Sequence, residues 1–227
     1  MPHFATCVAS TAPIFRDKLD LTGIHQYCSL NTLTIPLFPL NTVLFPGGPL
    51  PLRIFEPRYL HMVSTSLKQN QPFGVCLIRE GNETGRPAEP HPIGTFAHIV
   101  DWNQLSDGLL GITARGGERF FVNRYAVGAD QLLFGEVAVI PDDPVVATPD
   151  EFTPLADLLR HLLPQAGDLY SESERHFEDA GWLGCRLAEL LPIDLTEKQS
   201  LLELTSPLQR LEAINHALHA LQDRKAD

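Results

Sequence analysis

The chain has 227 residues, of which 44% are hydrophobic and 20% charged, and a formal net charge of −11. That is the composition of a folded, water-soluble chain of one large domain or two small ones. No apolar run approaches the roughly 18 residues of a membrane span, and an acidic chain without a basic cluster repels phosphate backbones, which argues against nucleic acid and a membrane as partners.

Residues 1–32 contain a weakly apolar stretch, FATCVASTAPIF, but Arg16 and Lys18 follow it instead of preceding it, so it does not read as a secretory leader. A flexible tail or a mis-assigned start is expected there. Cysteines 7, 28, 76 and 185 show neither CxxC nor metal-ligand spacing, and read as reduced and structural in a cytoplasmic protein.

From Leu33 the chain becomes short apolar or alternating runs punctuated by Pro and Gly. Strands are predicted over 33–38, 50–55, 73–79, 94–101, 108–115, 118–127 and 132–140. Between the second and third, Leu60, Val63 and Leu67 repeat at helical spacing behind Pro57, a proline at the first helical position. Six or seven strands with one inserted helix predict a small, curled, barrel-like sheet over 33–145.

After PDDPVV the punctuation is helical. Thr148-Pro149-Asp150-Glu151 reads as a capping box opening a helix that Pro164 stops, Ser171-x-x-Glu174 as the start of a second helix to about Leu191, Thr196-x-x-Gln199 as a third, and Ser206-Pro207 as a fourth. In the last, Leu208, Leu211, Ile214, Leu218 and Leu221 form one apolar stripe suited to a core or to a partner helix. A C-terminal helical bundle over 146–222, with a tail at 223–227, completes an α+β reading.

No catalytic motif emerges. None of Lys18, Lys68, Lys198 and Lys225 follows a glycine, so there is no GxxxxGK[ST] phosphate loop; HExxH and GxSxG are absent. His216 and His219, with Glu212 a turn earlier, would make at most a weak metal site, and a solvated helix face explains them equally well. No cofactor, metal or catalytic residue is assigned.

The runs Ile35-Pro36-Leu37-Phe38-Pro39-Leu40, Val43-Leu44-Phe45-Pro46-Gly47 and Leu52-Arg53-Ile54-Phe55-Glu56-Pro57-Arg58-Tyr59 resemble, in order and spacing, the opening of the substrate-recognition (N-terminal) domain of the Lon ATP-dependent protease family. Phe73-Gly74-Val75, Ile93-Gly94-Thr95, Gly117-Glu118-Arg119-Phe120, Glu197-Lys198-Gln199 and Leu208-Gln209-Arg210-Leu211 are similar to later blocks of that domain, extending the resemblance over about Leu33 to Leu221. The resemblance implies a PUA-like β-barrel followed by helices, without the family's ATPase and serine–lysine peptidase domains. It implies a stand-alone, non-enzymatic module that binds unfolded or tagged polypeptide, as an adaptor or regulator beside a protease or chaperone in protein quality control.

The stretch LFPGGPLPLRIFEPRY concentrates the candidate site. One reading is architectural: a strand ends at Phe55, Glu56 faces the positive end of a helix begun by Pro57, Tyr59 packs, and Arg58 pairs with Glu56 or another carboxylate. The other is a groove for extended peptide lined by Leu52, Phe55, Tyr59 and the Pro46–Pro51 lip, whose stiff walls lose little entropy on binding. Trp102 in the loop-like DWNQLSD is either a further contact or a partly buried strand-end tryptophan, and Arg115 and Arg119 beside Gly116-Gly117 are either contacts for acidic groups or solvated strand-end charges. Alternatives from other classes are RNA binding, as in other PUA-like barrels, and a small-molecule binder or enzyme with an unrecognised site. An incompletely closed sheet would pair its edges into a homodimer.

Overall fold

The computed structural model describes residues 32–170 and 175–226. Of the tail expected over residues 1–32, all but Thr32, which opens β1, lies outside the described residues, as does the Ser171-x-x-Glu174 start. The chain forms β1 (Thr32–Leu40), β2 (Pro49–Ile54), α1 (Pro57–Gln69), β3 (Phe73–Glu80), β4 (Glu89–Gln104), β5 (Leu110–Val127) and β6 (Leu133–Ile140). Then come 3-10 turns at Asp150–Phe152 and Leu163–Leu169 around α2 (Thr153–Leu162), followed by α3 (Ala180–Leu190), α4 (Leu195–Glu203) and α5 (Pro207–Ala226).

The six strands form one mixed sheet in the order β2-β5-β4-β3-β1-β6, with β1 and β3 parallel and the other pairs antiparallel. An additional pairing joins β5 to β6. The ladder β5-β4-β3-β1-β6 therefore returns to β5, and β2 stands outside that circuit on the first half of β5.

The stretches predicted as strands 108–115 and 118–127 are one strand. Gly116-Gly117 is no turn: a β-carbon on Gly116 would lie 2.2 Å from the Phe45 carbonyl oxygen. The glycine admits a second backbone where β5 passes from β2 to β6. β4 also begins earlier than 94, at Glu89, because Pro90 and Pro92 read as breakers although prolines are tolerated where the ladder needs no N–H.

Among the helices the capping box at Thr148 is not made. The Thr148 hydroxyl donates to the Phe177 carbonyl at 3.1 Å and its N–H to that of Glu178 at 2.8 Å, so the residue is held in an extended bridge. A 3-10 turn follows Pro149, and α2 starts at Thr153 with Pro154 in its first turn. Asp179 caps α3 by accepting from Gly181 N–H at 2.8 Å, and Asp194, rather than Thr196, caps α4 by accepting from Glu197 N–H at 2.8 Å. These aspartates supply a carboxylate at the positive helix end, which a threonine hydroxyl does not.

Three apolar clusters hold the fold. Leu37, Phe96, Phe120, Val122 and Val137 fill the space between the strands. Tyr59, Met62 and Val63 of α1 pack on Phe38, Ile54, Ile112 and Ala114. The largest joins Leu155, Leu159, Leu183, Leu187, Leu202, Leu211 and Ile214 of the helices to Phe45, Leu77, Ile93 and Ile140 of the sheet region. At that junction Arg119 donates to the Leu202 and Leu204 carbonyls at 2.7 and 2.6 Å and pairs with Asp143 at 2.5 Å, whose other oxygen takes Arg210 at 2.7 Å. The Arg210 stem reaches this point across Gly184, where a β-carbon would meet its Cδ at 3.2 Å.

Candidate functional site

The Pro-Gly lip is a turn before it is anything else. Gly48 N–H donates to the Phe45 carbonyl at 3.0 Å, with Pro46 and Gly47 between them and Gly47 at φ +73°, the pattern of a type II turn. Gly47 N–H then bonds to Gly116 O at 2.8 Å and Gly116 N–H to Gly48 O at 2.9 Å, which starts β2 against β5. From the helices, Arg186 donates to the Pro46 carbonyl at 2.7 Å while pairing with Glu189 at 2.7 Å, and Glu189 also accepts from the Tyr170 hydroxyl at 3.0 Å. Burial pushes the Glu189 carboxyl up against the pull of Arg186. The turn is thus tied both to β5 and to α3, and of the expected Pro46–Pro51 lip only Pro51 lines a cavity.

At the other end of β2, Glu56 is the N-cap residue of α1, without a side-chain cap bond, and Pro57 opens the helix. Glu56 pairs with Arg58 at 2.9 Å, and Arg58, itself buried, donates to the Gln131 carbonyl at 3.0 Å and lies 4.6 Å from the Tyr59 ring centroid. Tyr59 in turn stacks on Phe38 with centroids 3.8 Å apart. Burial raises the Tyr59 phenol, with Arg58 opposing it, so the ring enters the site as a neutral, apolar wall.

Between these ends a cavity of about 270 Å³ opens beside β2, lined by Phe38, Leu40, Leu52, Phe55, Tyr59 and Glu83, among others. A second, of about 550 Å³, lies across β2 against the β4–β5 hairpin, lined by Pro51, Arg53, Asn103, Asp107 and Thr113, among others. Arg53 pairs with Asp107 at its mouth. The Leu109 N–H, at 3.1 Å, and the Arg53 guanidinium hold the Asp107 carboxyl below the usual carboxylate range.

Of the residues the sequence singles out, Leu52, Phe55, Glu56 and Tyr59 meet in the smaller cavity. Phe55 is 55% exposed and Trp102 61%, large figures for such side chains. Leu52, Ile112 and Trp102 stand in register on β2, β5 and β4, so Trp102 leaves the same face as Leu52 roughly 10 Å along. Arg58 is behind the wall and orders it. Arg119, 3% exposed, belongs to the sheet–helix junction and is not brought to the cleft; Arg115 donates to the Gly47 carbonyl at 3.2 Å, beneath the lip.

Sequence reasoning missed Phe38, Leu40, Arg53, Glu83 and Asp107. The first two carry only an ordinary strand pattern. Glu83 reaches the cleft from the β3–β4 turn by accepting the Asn41 N–H, a pairing across 42 residues. Asp107 closes the DWNQLSD segment, which carries no mark of its partner Arg53, 54 residues earlier.

A mixed six-stranded sheet with a helix inserted after β2 and four helices after β6 is the architecture of Lon N-terminal domains. The crystal structure of a Lon N-terminal domain protein from Xanthomonas campestris matches over 81% of this chain and 98% of its own, with 36% identity and a TM-score of 0.68. The N-terminal domain of the Mycobacterium avium complex Lon protease shares the fold, with a TM-score of 0.56 and 18% identity over 80% of this chain. The model of the ATP-dependent protease La (LON) substrate-binding domain matches residues 34–220, and the chain belongs to that family. Among whole proteases, that of Parabacteroides distasonis is 30% identical over 131 residues, 57% of this chain and 16% of the protease. That of Anaeromyxobacter dehalogenans is 24% identical over 91% of this chain and 24% of the protease. The chain thus spans a quarter or less of those relatives' length. No helix among the described residues is long and apolar enough to cross a membrane.

Proposed function

We propose that the chain is a non-enzymatic, Lon-like substrate-recognition module that captures unfolded or tagged polypeptide in the cleft beside β2. Family membership supports a substrate-recognition role. The observation that carries the polypeptide reading is the exposed Phe55 beside an apolar wall of Phe38, Leu52 and Tyr59, with the exposed Trp102, which lines neither cavity, in register with Leu52 two strands away. Aromatics held out in water at the edge of a preformed cleft are the usual anchors of a peptide interface.

In this reading residues 33–145 form a PUA-like barrel, supported by the circuit of strand pairings, and residues 146–222 a helical bundle that holds the lip. Leu52, Phe55, Glu56, Tyr59 and Trp102 contact the ligand, while Arg58 and Arg119 fix the elements that present them. The module acts as an adaptor or regulator that hands polypeptide to a protease or chaperone in the cytoplasm.

The test is fluorescence anisotropy of a labelled, permanently unfolded polypeptide titrated with the protein, with gel lanes for cleavage. Saturable binding that survives high salt and leaves the polypeptide intact is the expected result. No binding at tens of micromolar protein, or cleavage that persists on repurification, overturns the reading.

A further inference from the structure

We propose that this cleft selects apolar segments that are cationic and keep their backbone N–H groups free, and that it does not extend its sheet by adding the ligand as a strand. The inference rests on the polypeptide-binding reading above and specifies its ligand.

The first observation concerns the backbone of β2, the terminal strand of the sheet order. Gly116 N–H bonds to Gly48 O, and the register continues Pro49↔Arg115, Leu50↔Ala114 and so on to Ile54↔Leu110. Because bonded and non-bonded pairs alternate in an antiparallel ladder, Leu50, Leu52 and Ile54 turn their backbone groups to β5, and Pro49, Pro51 and Arg53 turn theirs away. The outward edge therefore offers carbonyl oxygens at all three positions but an N–H only at Arg53. A strand laid against it finds acceptors for its N–H groups and no donor for the carbonyls opposite 49 and 51. Two of the three donors a full ladder needs from β2 are missing, so a strand is not added in full, and what the edge accepts is the ligand's own N–H groups.

The second observation is charge. Glu56, Glu83 and Asp107 stand in the cavity walls, and among the described residues Arg53 is the one cation there. Arg53 is committed to Asp107, and Arg58, behind the wall, to Glu56. Glu83 accepts a neutral N–H, that of Asn41, and is paired with no cation among the described residues. With a chain charge of −11 behind it, the opening attracts Lys and Arg at a distance and holds them at Glu83. Edge and wall thus ask for the same ligand chemistry: donors and positive charge beside apolar side chains.

The test uses one apolar, proline-free peptide core flanked by lysines, by serines or by glutamates, each titrated against the whole chain at low and high salt. The lysine peptide is expected to bind about threefold to tenfold tighter than the serine peptide at low salt, the glutamate peptide weakest, with the spread shrinking at high salt. Glu83→Gln, which keeps an acceptor for Asn41 N–H, should narrow the spread between the lysine and glutamate peptides. N-methylating the core's backbone should weaken all three. Equal affinities for the three peptides, or indifference to N-methylation, overturn the selection while leaving polypeptide capture standing; binding of none overturns both.

Discussion

Glu189 Oε1 stands 1.9 Å from where a β-carbon on Gly48 would lie. The turn that opens β2 thus has no side chain at Gly48 because a buried carboxylate from α3, pinned by Arg186 and Tyr170, occupies the space. Gly48→Ala should displace that carboxylate from Arg186 and cost about 2 kcal/mol or more, the scale of disrupting a buried pair. Urea denaturation reads it. An unchanged midpoint would mean that Glu189 moves freely and the lip is not clamped.

Asp143 is shared by Arg119 and Arg210, guanidiniums only 3% and 1% exposed. Asp143→Ala leaves two buried cations with carbonyls alone, and a loss of about 3–5 kcal/mol is expected. Replacing Arg119 by Met in the Asp143→Ala background should restore part of that stability, because one stranded charge is removed; equilibrium denaturation of the single and double variants gives the coupling.

How much of this was legible follows from how local each feature is. Pro57 at the start of α1 and Ser206-Pro207 at the start of α5 are short-range chemistry and could be read directly. The strand break placed at Gly116-Gly117 failed because a glycine pair looks the same whether it turns the chain or admits a neighbour, and the neighbour, Phe45, is some seventy residues away. Arg119 shows the same limit. Next to two glycines it read as an exposed strand-end charge or a contact for acidic groups, yet α4 covers it and takes its bonds at carbonyls more than eighty residues on. In the cleft, Leu52, Phe55, Glu56 and Tyr59 belong to one contiguous stretch that the sequence singles out, whereas Arg53 within it, and Phe38, Glu83 and Asp107 brought by the fold from elsewhere, carry no local mark.

The aromatics at the cleft separate binding from stability. Phe55 and Trp102 are mostly exposed, so Phe55→Ser and Trp102→Ser should change folding stability by no more than about 0.5 kcal/mol. Each should nevertheless weaken polypeptide binding by about 1–2 kcal/mol, roughly fivefold to thirtyfold, if it anchors the ligand. Anisotropy titrations beside thermal melts measure both. Retained affinity in both variants places the ligand elsewhere on the surface.

The pH dependence of stability should carry the mark of Glu203, at the end of α4. Burial raises its carboxyl above the ordinary value of 4.5, and the Gln199 amide, donating at 2.8 Å, opposes the rise. The folded chain therefore holds this proton more tightly than the unfolded chain. The resulting contribution to stability is complete below 4.5 and is lost as pH rises through the folded value. Glu203→Gln keeps an oxygen for the Gln199 amide and carries no charge. It should match the parent protein at acid pH and exceed it in stability near neutrality, with a flatter profile between. Denaturation midpoints taken across that range decide it: parallel profiles would mean that Glu203 titrates alike in both states, and a variant weaker at neutral pH would mean that its charge is being used by a cation.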